Sequence, residues 1–150
     1  MSGKRVLAAG KFDLLHLGHL AYLEQARELA GEDGELVVVV ARDKTVLRER
    51  NRAPIFPEEH RRRIVAALRV VDRAILGYDT YDHTKIVVDI KPDIVALGYD
   101  QYADIEALEA RFQSLGMKTK IVRLEKREAD SLSSSTQIRH RIIEHYSDTI

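Results

Sequence analysis

Two histidines three residues apart, His16 and His19, are the clearest candidates for chemistry in the sequence. They lie in the segment Gly10-Lys11-Phe12-Asp13-Leu14-Leu15-His16-Leu17-Gly18-His19, where Gly10 permits close approach of a ligand to the backbone. Their spacing lets both rings point at one ligand if the turn between them is helical. A helix that begins here would offer free amide groups and positive potential to a phosphate. The segment therefore predicts a phosphate site that both histidines face.

The surroundings of this pair exclude several familiar kinds of site. A His-x-x-His pair can bind a metal, but no third ligand lies nearby and the chain has no His-Glu-x-x-His pattern. The chain has no G-x-G-x-x-G segment and no Walker A loop. It also has no cysteine to serve as a nucleophile, a disulfide or a thiolate metal ligand. One of the two histidines can instead be a structural residue, and this alternative stays open.

The elements that would position the segment alternate between short apolar runs and longer amphipathic stretches, as in a parallel sheet covered by helices. The predicted strands are Arg5–Ala9, Leu36–Ala41, Arg73–Leu76, Ile94–Leu97 and Lys120–Arg123. The predicted helices are Gly18–Ala30, one opened by Pro57, Lys85–Ile90, Asp104–Leu115 and one that starts near Ser134. We expect an α/β fold: a single Rossmann-like, doubly wound domain over residues 1–150, with a five-stranded parallel sheet flanked by helices.

Three of the helices carry a predicted inward face. The first helix places Leu20, Leu23, Ala26 and Ala30 on one side. The helix after Pro57 is expected to bury Ile64, Val65 and Leu68. The last helix is expected to present Ile138, Ile142, Ile143 and Tyr146 inward.

Composition and charge narrow the class of protein. Of the 150 residues, 45% are hydrophobic and 32% are charged, which is the balance of a globular domain. The 24 basic and 24 acidic residues give a formal net charge of +0, which argues against a nucleic-acid partner. The longest apolar run, Leu36–Ala41, is too short for a membrane span, and Gly10 and Lys11 interrupt any signal-type run. We expect a cytoplasmic protein that acts on small molecules and has no nucleic-acid or membrane partner.

Two further groups of polar residues are placed to meet a nucleotide. Ser134, Ser135 and Thr136 lie where the last helix begins, so their hydroxyls can cap the helix or hold phosphates. Capping alone accounts for only one of the three. Asp100 follows the fourth strand, near the place where doubly wound sheets bind ligands, and Gly98 allows close contact. We expect Asp100 to accept a hydrogen bond from a ribose hydroxyl, with an ordinary surface aspartate as the alternative.

Several segments, in order along almost the whole chain, resemble one family. The segment 10–19 resembles the GTFD-x-x-H-x-GH segment of the cytidylyltransferase-like nucleotidyltransferases, and Ser133–Ile138 resembles their last motif. Glu59–Arg61 and Arg69–Asp72 resemble the glycerol-3-phosphate cytidylyltransferases. Ala41–Val46, Pro57–Glu59 and Leu97–Gln101 are closer to the archaeal-type FAD synthases.

The resemblance implies that a phosphate monoester attacks the α-phosphate of a nucleoside triphosphate and that pyrophosphate leaves. Such an acceptor is already largely dianionic at neutral pH, so the site must align the reactants and stabilise charge rather than supply a base. The implied catalytic residues are His16, His19 and Lys44, with Mg²⁺ or another divalent cation sharing the charge. The implied nucleotide-binding residues are Gly10, Lys11, Phe12, Asp13, Gly18, Gly98, Tyr99, Asp100, Ser134, Ser135 and Thr136. The implied acceptor-binding residues are Arg42, Arg61, Arg69 and Asp72.

Two features of the sequence qualify these assignments. The run Arg42–Arg63 holds eight basic and four acidic residues. Because successive helical residues point about 100° apart, the last three arginines of this run cannot all face one ligand. The resemblance implies that Arg61 is the inward one, and the arginines without an assigned role are expected to face solvent. Lys11 stands where the family usually has threonine, and it can strengthen triphosphate binding, pair with Asp13 or crowd the metal. The remaining histidines are expected at the surface: His60, His83, His140 and His145.

The first expectation for the function is an FMN adenylyltransferase, and two alternatives stay open. An FMN adenylyltransferase, which makes FAD and pyrophosphate from ATP and FMN, is favoured by Ala41–Val46 and Leu97–Gln101. A CTP:glycerol-3-phosphate cytidylyltransferase, which makes CDP-glycerol, is favoured by Glu59–Arg61 and Arg69–Asp72. A non-catalytic nucleotide-binding protein is the third, because Lys11 departs from the family pattern. The resemblance also implies a homodimer.

Overall fold

The computed structural model describes residues 3–80, 82–127, 132 and 134–147. Its strands are β1 (Arg5–Gly10), β2 (Glu35–Val40), β3 (Arg73–Leu76), β4 (Ile94–Leu97) and β5 (Lys120–Arg123). Its helices are α1 (Leu17–Ala30), α2 (Asp43–Arg50), α3 (Glu58–Ala66), α4 (Thr84–Ile90), α5 (Ile105–Ser114) and α6 (Ser135–Tyr146). The strands form one parallel sheet in the order β3-β2-β1-β4-β5. The predicted α/β architecture and the five predicted strands are confirmed.

The sheet is buried on both faces, because β2 is apolar at every position after its first residue. Side chains alternate along a strand, so Val38 and Val40 pack with Leu23 of α1 on one face, whereas Val37 and Val39 pack toward α4 and α5 on the other. Each fully buried valine contributes roughly 1.5–3 kcal/mol through its removal from water. These two cores hold the strand ends, and thereby the loops that follow them, in fixed relative positions.

The order of the strands places a crevice at the carboxyl end of β1. That strand lies between β2 and β4, and the chain crosses to opposite sides of β1 when it enters these two neighbours. Ligands of doubly wound sheets bind outside the carboxyl ends of the strands at such a reversal. The segment 10–19 leaves β1 at this point.

Helix α2 is absent from the predicted elements. It spans only eight residues, of which Thr45 and Val46 are buried, and it lies within the charged run 42–63. Because two buried positions produce no recognisable helical period, the sequence pattern hides this helix.

The predicted inward face of α3 is confirmed for Val65, and Leu68 packs against the core, but the face is wrong at Ile64, and the predicted inward face of α6 is wrong. In α3 the buried positions are Arg61 and Val65, one turn apart, and Ile64 is 38% exposed. No residue of α6 is buried, and Ile142, Ile143 and Tyr146 are about half exposed. The reason for the second difference is that the described residues cover α6 near its first turn and leave its later turns open. No helix in the described ranges has the length and apolar content needed to cross a bilayer.

Candidate active site

A cavity of about 620 Å³ lies at the carboxyl ends of β1, β4 and β5. Both histidines and all of the predicted nucleotide-binding residues line it, from Gly10 to His19, from Gly98 to Asp100 and from Ser134 to Thr136. Ser133, the first residue of the last predicted motif, lies outside the described residues. The five basic residues on the wall outnumber three acidic ones. The cavity therefore has the place and the charge suited to a polyanion.

The two histidines form the N-terminal cap of α1. His16 Nδ1 accepts a hydrogen bond from the Gly18 amide at 3.0 Å, and His19 Nδ1 accepts one from the His16 amide at 3.2 Å. Their rings stack with centroids 3.8 Å apart, and the Phe12 ring lies 5.3 Å from the His19 ring. In a neutral imidazole the proton sits on the nitrogen that does not accept. Each ring therefore carries its proton on Nε2, which is left to donate to a ligand.

The protonation state of the pair follows from its burial. Burial, with a smaller contribution from the adjacent His16, lowers the pKa of His19 to about 3. Burial also lowers the pKa of His16 below its usual 6.5. Both rings are consequently neutral hydrogen-bond donors at pH 7 when no ligand is bound.

Asp13 joins three segments of the cavity wall. Its carboxylate accepts hydrogen bonds from the amides of Ile55 and Phe56 at 2.7 and 2.9 Å. Its backbone carbonyl accepts a hydrogen bond from Ser135 Oγ at 2.6 Å, at the start of α6. The Asp13 carboxylate is thus engaged with the protein while the residue lines the cavity.

The backbone of the segment also takes a special conformation at Phe12. This residue has φ 53°, in the left-handed region that a bulky side chain rarely adopts, and it is 3% exposed. A Cβ placed on Gly10 would lie 3.1 Å from the Phe12 ring, so the ring closes over the glycine. The tight packing of Phe12 between Gly10 and His19 holds this backbone against its intrinsic preference.

Arg61 faces inward as predicted but does not line the cavity. Its side chain is fully buried and donates to the Lys11 carbonyl, the Phe56 carbonyl and Asp43 Oδ1 at 2.7, 2.9 and 2.7 Å. A guanidinium occupied in this way supports the segment 11–13 from behind. Arg61 therefore contacts the site through the backbone that it holds, and its expected bond to the acceptor stays a prediction.

The other predicted acceptor-binding residues and Lys44 also lie outside the cavity wall. Arg42 donates to the Gly77 carbonyl and to Glu58, and the exposed Lys44 ammonium lies 3.8 Å from Asp79. Arg69 is exposed, and Asp72 accepts from Arg27 and from the Leu36 amide. Asp72 immediately precedes β3, so it sits at the amino edge of the parallel sheet, opposite the edge that carries the cavity. The structure thus places these residues off the cavity wall, and their expected roles stay predictions.

The Lys11 side chain pairs with a residue that was not expected from the sequence. Its ammonium lies 3.0 Å from Glu49 on α2 rather than beside Asp13. Helix α2 was not predicted, so this pairing could not be anticipated. The salt bridge draws the lysine toward the α2 side of the cavity.

Several residues that line the cavity have no role in the sequence-based prediction, among them Tyr22, Arg50, Arg52, Gln101 and Arg139. The Tyr22 hydroxyl donates to the Ala96 carbonyl at 2.7 Å and accepts from the Ala9 amide at 3.1 Å, so it bridges β1 and β4. Burial raises the pKa of this hydroxyl. Its position three residues after His19 on α1 is the signal that indicates a shared helix face. The four remaining histidines are exposed, as predicted.

Comparison with known proteins gives one consistent family. The cytidylyltransferase-like family matches residues 7–141. A protein named FAD synthase from Methanopyrus kandleri is 51% identical over 142 residues, which cover 95% of this chain and 93% of the relative. Another FAD synthase, from Thermoplasma volcanium, is 47% identical over 140 residues, covering 93% and 94% of the two chains.

Solved structures share the fold. A crystal structure from Thermoplasma volcanium, described as a lipopolysaccharide core biosynthesis protein, superposes with a TM-score of 0.76 at 48% identity. The match covers 84% of this chain and all of that one. A pantoate-β-alanine ligase from Francisella tularensis has the same fold at 16% identity and a TM-score of 0.57, over 95% of this chain and 70% of that one. By its sequence, its strand order and the histidine pair at the carboxyl end of β1, this chain belongs to the cytidylyltransferase-like family.

Proposed function

We propose that the chain is an FMN adenylyltransferase, or FAD synthase, which converts ATP and FMN into FAD and pyrophosphate. The observation that carries the proposal is the pair of neutral Nε2–H donors, His16 and His19, on the wall of a cation-rich cavity at the strand reversal. The choice of ATP and FMN is supported by the FAD synthases that are 47–51% identical along more than nine-tenths of the chain.

The reaction joins two phosphates. A phosphate oxygen of FMN attacks the α-phosphorus of ATP, a new P–O bond forms, and the bond to the β-phosphate oxygen breaks to release pyrophosphate. His16 and His19 donate from Nε2 to the phosphoryl oxygens, where negative charge accumulates in the transition state. Because both donors are fixed by the α1 cap, they need no reorganisation when the charge develops.

The other lining residues would hold the nucleotide. Ser134, Ser135 and Thr136 lie at the start of α6, where hydroxyls and free amides suit the β- and γ-phosphates. Asp100 and Gly98, after β4, suit the ribose. Tyr99 is half exposed on the same wall and offers a ring face to the base.

Mg²⁺ is proposed as the counter-ion of the triphosphate. Among the described residues no group of three or more histidine, aspartate or glutamate side chains is arranged to hold a metal. A magnesium ion that is bound by substrate phosphates with one or two carboxylates fits this site, and Asp100 and Glu125 are the carboxylates on the wall without a protein partner in the described ranges. When bound, the ion would neutralise part of the negative charge of the phosphoryl oxygens.

The test crosses two nucleotides with two acceptors. The chain is incubated with ATP or CTP, with FMN or glycerol 3-phosphate, and with Mg²⁺, and the products FAD and CDP-glycerol are separated and quantified. Of the four combinations, we expect only ATP with FMN to give a product, which is FAD. CDP-glycerol without FAD would replace the proposal by the cytidylyltransferase, and tight ATP binding without any product would replace it by a non-catalytic nucleotide-binding protein.

The proposal extends to the location and the assembly of the protein. A cytoplasmic homodimer agrees with the family resemblance. Sedimentation equilibrium of the purified chain checks the dimer, since a mass near 17.1 kDa at all concentrations contradicts it.

A further inference from the structure

Two arginines without a role in the preceding account, Arg50 and Arg52, line the cavity. Neither makes a hydrogen bond or an ion pair with another residue in the described part of the chain, whereas Arg42 and Arg61 nearby are both paired. Unpaired guanidinium groups on the wall of a cavity are suited to an anionic ligand, because they present planar sets of donors that match a phosphate.

The backbone that carries these arginines is held at both ends. Asn51 ends α2 in a left-handed conformation, and its amide donates to the Leu47 carbonyl at 2.8 Å. Four and five residues later, the amides of Ile55 and Phe56 donate to the Asp13 carboxylate. The segment 52–56 is therefore fixed against the histidine segment and does not hang free in solvent.

The strand order indicates which of the two substrates lies near the segment 52–56. The loop after β4 and the start of α6 after β5 carry the residues proposed for the nucleotide, and β4 and β5 lie on one side of β1. Helix α2 and the segment 52–56 follow β2, which lies on the other side of β1. The histidine segment after β1 thus separates a nucleotide side from the side that carries Arg50 and Arg52.

An acceptor phosphate on that side must approach the triphosphate against strong charge repulsion. Among the described residues of the cavity wall, Lys11 is the other cation on that side, and its ammonium is already paired with Glu49. We propose that Arg50 and Arg52 bind the phosphate monoester of the acceptor, neutralise its charge and orient its oxygen toward the α-phosphate. This inference rests on the proposed function, and it replaces the paired or distant residues Arg42, Arg61, Arg69 and Asp72 as the acceptor site.

The experiment compares FMN with riboflavin, which has the same ring system but no phosphate. Flavin fluorescence is titrated with the wild-type chain, with the double variant Arg50→Gln/Arg52→Gln, and with Arg48→Gln as a control for charge loss on the same helix. In the double variant we expect the Kd for FMN to rise by about 10-fold to 100-fold, as for lost charge-assisted hydrogen bonds, while the Kd for riboflavin stays within about threefold. Arg48→Gln should keep the wild-type preference for FMN.

Each outcome separates this inference from the proposed function. An unchanged preference for FMN in the double variant overturns the inference, and so does a wild-type chain that binds FMN and riboflavin equally. A wild-type chain that prefers FMN through Arg50 and Arg52 but forms no FAD from ATP keeps the phosphate site and removes the proposed reaction. Formation of FAD by the double variant at an unchanged KM for FMN removes the site and keeps the reaction.

Discussion

Burial of a neutral histidine makes the stability of this chain depend on pH in a specific direction. His19 has a pKa of about 3 in the folded chain, against 6.5 for an exposed imidazole. Below pH 6.5 the unfolded chain takes up a proton at this position and the folded chain does not, so protons favour unfolding. The stability is fully present above pH 6.5 and is lost as the pH falls toward 3.

The magnitude follows from the two pKa values. Between pH 7 and pH 5 this single group lowers the free energy of unfolding by about 2 kcal/mol if its pKa changes from 6.5 to about 3. The cavity admits some water to the ring, so about 1–2 kcal/mol is the expected range after screening.

The variant His19→Asn isolates this contribution. Asparagine keeps an acceptor near the position of Nδ1 for the His16 amide, and it does not titrate. Urea unfolding of the wild type and the variant at pH 7, 6 and 5 should show a smaller loss for the variant, by about 1–2 kcal/mol at pH 5. His140→Asn, at an exposed position on α6, is the matched control and should follow the wild type. Parallel losses in the wild type and His19→Asn would refute the reasoning, since His19 would then titrate alike in the folded and unfolded chains.

Three further predictions concern the surroundings of the histidine pair. His16→Asn keeps a good N-cap for α1 but lacks the Nε2 donor, so the rate of FAD formation should fall on the order of 10²–10³ with little change in melting temperature; an unchanged rate contradicts the donor role. Arg61→Ala leaves a carboxylate and two carbonyls without their buried partner and should lower the free energy of urea unfolding by about 3–5 kcal/mol. Arg63→Ala on the exposed side of α3 should change it by less than about 0.5 kcal/mol, and equal effects of the two changes would contradict the buried network. Lys11→Thr removes a partly exposed pair with Glu49, so unfolding should change by no more than about 1 kcal/mol, and FAD formation should persist; loss of all activity would place Lys11 in the phosphoryl transfer itself.

The architecture could be predicted because each strand and most helices are marked by a pattern of neighbouring residues in the sequence. The apolar runs that became the five strands are short, continuous and separated by amphipathic stretches, and their bounds agree with the structure to within about one residue. The position of the histidine segment between β1 and α1 was equally readable, since a glycine and a following helical pattern mark it.

What could not be predicted depends on partners distant in sequence. Arg61 looks like a ligand of a phosphate in any linear motif, and only the fold shows that its donors reach the Lys11 and Phe56 carbonyls. The pairing of Lys11 with Glu49 could be predicted only if α2 were known, and the two buried residues of that helix leave no periodic signal in the sequence. The predicted burial of the α6 side chains was wrong for a different reason. A helical pattern shows which residues share a face, but it does not show whether another element covers that face.

The double role proposed for His16 and His19, as the cap of α1 and as donors to the phosphates, limits how this chain can change over evolutionary time or under design. Serine, aspartate and asparagine are the favoured N-caps of helices, and histidine is not among them. Other capping residues could therefore replace His16 with little loss of stability, and selection for stability in acid would act against His19, whose buried ring stays neutral in the folded chain. At both positions a replacement chosen for stability would remove a hydrogen-bond donor that we propose for the reaction. A stabilised variant of this protein should be sought with these two residues held constant.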